Sequence, residues 1–402
     1  MTMHHFKKTF LFLALLMGAS QISFAACDQT LSSGANVASA ISSAAGGTTI
    51  CLNSGSYGSV NLSNIVKTSD VTVQSASGRT ASLSLNINGS NRLKFQNLTI
   101  SQLDIAGGAT KNITIRDSTF KGQAVLRMSD NSNANILIDG NTFDGISVCS
   151  NCYEGRLEVI GNYSTPVGVT ISNNHFGNGG SSDGIQISSY GVVVGPGNVF
   201  EGIIQDNSGK HIDALQGYGN SHTTITGNYF INNSTQIMMP DGGDNEVITN
   251  NVFISNTSGN FGIALGSHKS PTFTHNTVKN MTVSMDKKVE SSVLTQNGLA
   301  RDNIMINSSF KTRDSAGNAG CSGCTLDHNL FSSSSIAAGS NNIIGNPTFV
   351  GGSNPTTWEG YQLTSSSLGY RAASDGKDMG STTIGSGTST VSLAPPGNLR
   401  VE

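Results

Sequence analysis

Five stretches of this chain are near copies of one another: NITIRDSTF (112–120), NILIDGNTF (135–143), GVTISNNHF (168–176), HTTITGNYF (222–230) and NEVITNNVF (245–253). Each runs apolar-x-apolar, then two or three polar residues, often Asn, then one residue and Phe. VVVGPGNVF (192–200), TFTHNTV (272–278) and CTLDHNLF (324–331) are degenerate copies. The closing positions 120, 143, 176, 200, 230, 253 and 278 lie 23, 33, 24, 30, 23 and 25 residues apart. Few folds tolerate that rhythm. A period in the twenties, with short strands and longer insertions, predicts a parallel β-helix with one coil per repeat. Rungs stack at about 4.8 Å, so like positions form columns. Phe and aliphatic residues stack inside, and an Asn before a turn bonds its copies above and below.

Composition agrees. Gly numbers 48, Pro only 8, and aromatics make up 6%. A solenoid needs few large apolar residues, because each coil buries only a narrow seam. Charged residues are 12% and the net charge is −3. That gives no long-range pull on nucleic acid or an anionic membrane.

The organisation follows. Lys7 and Lys8 precede FLFLALLMGA, and Ser23-Phe24-Ala25 offers a small-residue cleavage site. Residues 1–25 are therefore expected to be an export signal, too short for a transmembrane helix. One domain is expected over 26–385 and a tail over 386–402, in a secreted or periplasmic monomer. VASAISSAA predicts a short capping helix over Val37–Ala45, with Val37 and Ile41 on one face and Gly46-Gly47 stopping it. NPTFVGG and YQLTSSSLGYRAASDGKDMG read as terminal strands that close the stack.

Six cysteines in an exported chain point to disulfides. Cys27 pairs with Cys51 at the start. Cys149-x-x-Cys152 and Cys321-x-x-Cys324 have the spacing of a four-thiolate zinc site. Seven coils between them amount to roughly 34 Å, so two local disulfides are expected instead.

The register also aligns polar residues. Seventeen residues before the closing positions stand Asp183, Asp213, Gln236 and Phe261; fourteen before stand Gln186, Gln216, Met239 and Ala264. SDGIQ (182–186) and IDALQ (212–216) are thus one element on adjacent coils. Two carboxylates a rung apart repel unless a cation lies between them, so the pair suggests function. Asp at a strand start also caps turns, and by alternation Asp183 shares a face with Ile185.

From about residue 27 to 385 the chain resembles the secreted right-handed parallel β-helix proteins of the pectin-lyase-like superfamily. The resemblance rests on the helical cap before GGTTICLNSGSYG, the serial Asn-x-Phe coils and the closing NPTFVGG. It implies an all-β, single-stranded right-handed parallel β-helix of about eleven or more coils. SSDGIQIS also resembles the Asn-Thr-Asp-Gly-Ile stretch of polygalacturonase-like hydrolases, which implies catalytic roles for Asp183 and Asp213. The Gly-His-Gly and Arg-Ile-Lys motifs of those enzymes are absent, and no arginine lies between Arg156 and Arg301.

An exported polysaccharide-degrading enzyme is expected, with an acidic, uronic-acid-containing polymer as partner. A lyase must neutralise the uronate carboxylate and remove the C5 proton. Candidate bases are His211, Lys210 and Lys269, with Tyr218 as a candidate proton donor and Asp183 and Asp213 in the same element as His211 and Lys210. Gln186, Gln216, Gln236, Tyr190, Tyr218, Lys269 and His268 are candidate substrate contacts. Asp183 and Asp213 could hold Ca²⁺, as could Asp241 and Asp244 in PDGGDN. Two alternatives stand beside the lyase: a glycoside hydrolase using the paired aspartates, and a glycan-binding adhesin or structural β-helix without turnover.

Overall fold

The structure, a computed structural model, describes residues 26–149, 152–207, 209–256, 260–287, 292–314 and 316–382. The expected export signal over 1–25 and the tail over 386–402 lie outside the described residues. No helix among them is long and apolar enough to cross a membrane.

Beyond the first coils, the chain visits three main faces in turn. The first sheet has thirteen parallel strands in sequence order, from Gln29–Leu31 to Thr325–Asp327. The second carries the closing residues, from Thr119–Phe120 to Ile343–Ile344. The third runs from Ala124–Arg127 through Gly155–Ile160, Asp183–Ser188, Leu215–Gly217 and Thr235–Met239 to Ser309–Lys311. In the first coils the last two faces are one: Thr99–Ala106 pairs with Thr119–Phe120 at its start and with Ala124–Leu126 further on. The protein is a right-handed parallel β-helix, as the repeat implies.

Two internal columns hold the coils in register. Phe120, Phe143, Phe176, Phe200, Phe230 and Phe253 stack with ring centroids 4.2–4.9 Å apart. Such pairs add about 0.5–1.5 kcal/mol each beyond the area they bury. At the turn from first to second sheet stands a ladder of Asn141, Asn174, Asn198, Asn228, Asn251, Asn276, Asn303 and Asn329. Each side-chain nitrogen donates to the next Oδ1 at 2.9–3.2 Å. The residue before each ladder Asn is left-handed, which explains Gly140, Asn173, Gly227 and Asn250 at that position. The coil closing at Met305 has no aromatic there and carries no sequence signature, yet Met305 lies in register between Val278 and Phe331.

At the N-terminal end a helix spans Val37–Ser43, ending two residues earlier than expected because Ala44 is already extended. Asn36 caps it, accepting from the Ser39 N–H at 2.9 Å. Val37 and Ile41 plug the open core. The disulfides are Cys27–Cys51, Cys149–Cys152 and Cys321–Cys324.

The C-terminal expectation needs correction. NPTFVGG and YQLTSSSLGY do not add rungs. Residues 346–382 turn back along the outside of the second sheet as a strap. Phe349, Tyr361, Leu363, Ala373 and Met379 cover Tyr229, Val252, Ile254, Ile304 and Leu330. The strap reaches back to Asn250, whose Oδ1 accepts from the Thr382 N–H at 2.6 Å. The physical reason is the apolar outer row of that sheet, which must be buried.

Candidate active site

With the second sheet strapped over, the third sheet keeps an open outer face. Alternation sends Ala124 and Leu126 into the core and Val125 and Arg127 outward. The same parity turns Glu158 and Ile160, Gln186 and Ser188, and Gln216 and Tyr218 outward on the next coils. Two rows result. One runs Val125, Glu158, Gln186, Gln216, Met238; the other begins Arg127, Ile160, Ser188.

Tyr153, Tyr163 and Tyr218 stand around these rows, 42%, 60% and 62% exposed. Together with Arg127, Ser129, Glu158 and Gln186 they line an open groove of about 490 Å³. Tyr153 follows the Cys149–Cys152 loop; its ring lies 5.5 Å from the Arg127 guanidinium, and its Oη accepts from Arg127 Nη1 at 3.4 Å. Tyr163 Oη pairs with Ser188 Oγ at 3.1 Å. Arg127 also meets Asp104 at 3.0 Å. A second recess, around Val293, Gln296 and Ser322, is lined by no titratable side chain.

Glu158 forms the floor and is only 1% exposed. Burial pushes its carboxyl up to about 8; the Gly155 N–H pulls down, Glu154 adds to the rise, and Arg127 pulls down. A neutral Glu158 donates its proton to the Gln186 amide end lying 2.8 Å from Oε2, and Gln186 Nε2 in turn donates to Gln216 Oε1. An ionised Glu158 would instead require the Gln186 amide to turn over. Protonation and amide orientation are therefore one coupled variable.

The paired aspartates lie behind this face. Asp183 is 0% and Asp213 1% exposed, on the inward parity of Ile185 and Leu215. Asp183 Oδ1 accepts from the Asp213 N–H at 2.8 Å, stapling adjacent coils at the strand start. Oδ2 of each is enclosed without a hydrogen-bond partner. Burial, then Asp213, pushes Asp183 up to about 8. Burial also raises Asp213, against a hydrogen bond from Thr235.

The structure places the remaining candidates as follows. Gln186, Gln216 and Tyr218 meet at the groove. Gln236 does not: Leu215 pairs with Ile237, so Thr235 stands above Asp213, and Met238, not Met239, faces Gln216. Gln236 is buried and accepts from Asn233 Nδ2 at 2.9 Å. His268 is 0% exposed, with Nδ1 2.7 Å from Glu246 Oε2 and Nε2 2.9 Å from the Met239 carbonyl. It is interior structure rather than a surface contact. Lys269 is exposed but belongs to a small fourth sheet, paired with Asp244 and Gln296. Tyr190 stacks on His222 at 4.4 Å, around the corner from Gln186. Lys210 Nζ donates to the Val148 and Cys149 carbonyls, and His211 is exposed; neither lines the groove.

Arg127, Glu158, Tyr153 and Tyr163 were not among the sequence candidates. A signal existed in GRLEVI, where Glu158 interrupts an inward Leu157 and Val159. Ca²⁺ wants six to eight oxygens. The groove does not fit it: the carboxyls there are Glu158 and Asp104, and Asp104 is engaged by Arg127. Asp241 and Asp244 do not join any three-residue group of ligand reach among the described residues.

No known family signature matches the sequence, and no curated protein does. Solved structures do. The polysaccharide lyase Pedsa3628 of family 6 from Pseudopedobacter saltans is 14% identical, with 89% of this chain and 100% of that chain covered and a TM-score of 0.50. A mannuronic acid specific family 6 lyase from human gut microbiota is 15% identical over 79% and 82%, with a TM-score of 0.47. The pectate lyase Pel9A is 14% identical over 89% and 96%, with a TM-score of 0.44. At such identity the likeness speaks to fold. The chain has the right-handed parallel β-helix on which polysaccharide lyases are built.

Proposed function

We propose that the protein is an exported polysaccharide lyase that cleaves a uronic-acid-containing polymer by β-elimination in the third-sheet groove. One observation carries this reading. Arg127, a carboxyl that stays neutral below about pH 8 and an amide, all of them groups that bind a carboxylate, face one groove rimmed by exposed tyrosines. Elimination needs the C6 carboxylate neutralised so that the C5 proton becomes acidic. Arg127 supplies the charge, the second N–H of the Gln186 amide supplies a hydrogen bond, and a neutral Glu158 holds that amide in place without repelling the uronate. Tyr153 and Tyr163 supply the two phenolic oxygens: one, as the phenolate, takes the C5 proton, and the other, as the phenol, gives its proton to the departing O4, so the pair ends with its protonation exchanged. The C4–O4 bond breaks as the C4–C5 double bond forms. Tyr218 offers a stacking face for a neighbouring sugar. Hydrolysis loses its support, since it needs two carboxyls facing one bond, and Asp183 and Asp213 face the interior.

The test is to incubate the chain with a panel of uronic-acid polymers, polymannuronate and polygalacturonate included, and follow the absorbance of the unsaturated uronate. Arg127→Ala should lower turnover about a hundredfold or more, the scale of losing one preorganised charge-stabilising donor. His211→Ala should leave it unchanged. New reducing ends without absorbance would make the protein a hydrolase, and binding without either product a glycan-binding protein.

The reading also fixes a pH limb. Glu158 is neutral below about 8 and ionises above it. Uronate binding should weaken as pH rises through 8. Glu158→Gln, neutral at every pH, should keep binding at pH 9 where the parent loses it. Equal alkaline loss in both proteins would remove Glu158 from this role.

A further inference from the structure

Away from the groove, His275, Asp302 and Asp375 bring one ligand atom each within 4.8 Å of one another. His275 and Asp302 occupy the same left-handed turn position on consecutive coils, with φ of 51° and 60°. Asp375 comes from the C-terminal strap. The cluster therefore straddles the joint between helix body and strap. His275 Nε2 lies 3.7 Å from Asp302 Oδ2 and 3.5 Å from Asp375 Oδ2. Those gaps are long for hydrogen bonds. They match the ligand-to-ligand edge of about 3.4 Å around a tetrahedral ion with bonds of about 2.1 Å.

Asp302 is also held as a ligand is held. Its side chain is 4% exposed, and Ser374 fixes both oxygens, the N–H on Oδ1 at 2.7 Å and Oγ on Oδ2 at 2.6 Å. Outer hydrogen bonds of that kind orient ligating carboxylates. Lys377 Nζ lies 2.9 Å from Asp375 Oδ2, but its side chain is 71% exposed and free to swing into solvent. A set of one imidazole and two carboxylates suits Zn²⁺ with water as fourth ligand, and suits Ca²⁺ poorly.

We propose that His275, Asp302 and Asp375 bind one Zn²⁺ that clasps the C-terminal strap to the coils. The site is structural and independent of groove chemistry. Metal that binds only the folded joint must stabilise it.

To test this, the full chain is stripped with chelator, given Zn²⁺ alone, dialysed, and assayed for bound zinc and Tm. The expected result is one tightly held zinc per chain and a Tm raised by several degrees. Asp375→Asn, at a side chain 37% exposed, should fold normally and weaken zinc about 10–100-fold. His275→Gln should abolish both binding and the Tm rise while matching the parent in chelator. No zinc on the parent, or equal zinc on parent and both variants, would overturn the site. Should His275→Gln fail to fold, Asp375→Asn decides alone.

Discussion

Asn228→Ala should lower stability by about 3–5 kcal/mol, read as a shift of the denaturant midpoint. Asn228 Nδ2 donates to Asn251 Oδ1, to the Val194 carbonyl and to the Thr226 carbonyl at 3.0–3.1 Å. Its Oδ1 accepts from Asn198 Nδ2 at 2.9 Å and from the Asn198 N–H at 3.3 Å. Asn228 itself is 0% exposed, and its bonds to Asn198, Val194 and Asn251 are buried, where no water can replace a lost partner. An unmet buried group costs about 1–3 kcal/mol, and several are left at once. The solvent-facing Asn86, which donates to Asn61 at 2.7 Å, is the control; Asn86→Ala should cost under about 0.5 kcal/mol. Equal losses would mean that the ladder adds nothing beyond backbone pairing.

Asp183→Asn should act in the opposite direction and stabilise the protein, increasingly as pH rises. Burial and Asp213 raise the folded carboxyl to about 8 from 3.8. Below pH 3.8 both folded and unfolded forms are protonated, and the group contributes no difference. Between 3.8 and 8 the unfolded chain gives up the proton readily while the folded chain holds it. The unfolded state then binds fewer protons, so stability falls with pH across that window and levels off above it. At about 1.4 kcal/mol per pH unit the ceiling is near 5–6 kcal/mol, and relaxation of the site leaves roughly 2–4. Asparagine keeps the acceptor for the Asp213 N–H. Its amide nitrogen replaces an enclosed Oδ2 that has no partner either, so the two proteins should match near pH 4. A stability difference independent of pH would show that Asp183 is ionised in the folded state.

These two columns explain what the sequence could disclose. The coils were legible because Asn and Phe recur for a physical reason: identical residues stack on themselves. Gln186 and Gln216 were legible because both stand fourteen residues before a closing Phe. Glu158 stands eighteen before Phe176, and Val125 eighteen before Phe143. Longer connections in those coils hid the rest of the row, and Arg127 with it. One residue the other way misplaced Gln236: Met238 stands fifteen before Phe253. SDGIQ and IDALQ were rightly paired, but strand alternation, already visible in Asp183 and Ile185, turns both carboxyls inward. The strap was illegible because its apolar residues answer to a folded surface and follow no period of their own.

That strap alters how the molecule can come apart. A bare solenoid frays rung by rung from either end, since each coil touches only its neighbours. Here the last coils cannot peel away singly. Gly380 donates to the Asp302 carbonyl at 2.8 Å, Ser381 to Thr277 Oγ1 at 3.1 Å, and Thr382 to Asn250. Pulling on the C-terminal end loads rungs from Asn250 to Leu330 together, in shear. Among the described residues, the N-terminal end is closed by the Val37–Ser43 helix and clasped by the Cys27–Cys51 disulfide, which ties the first two rungs to each other and spreads no load further along the stack.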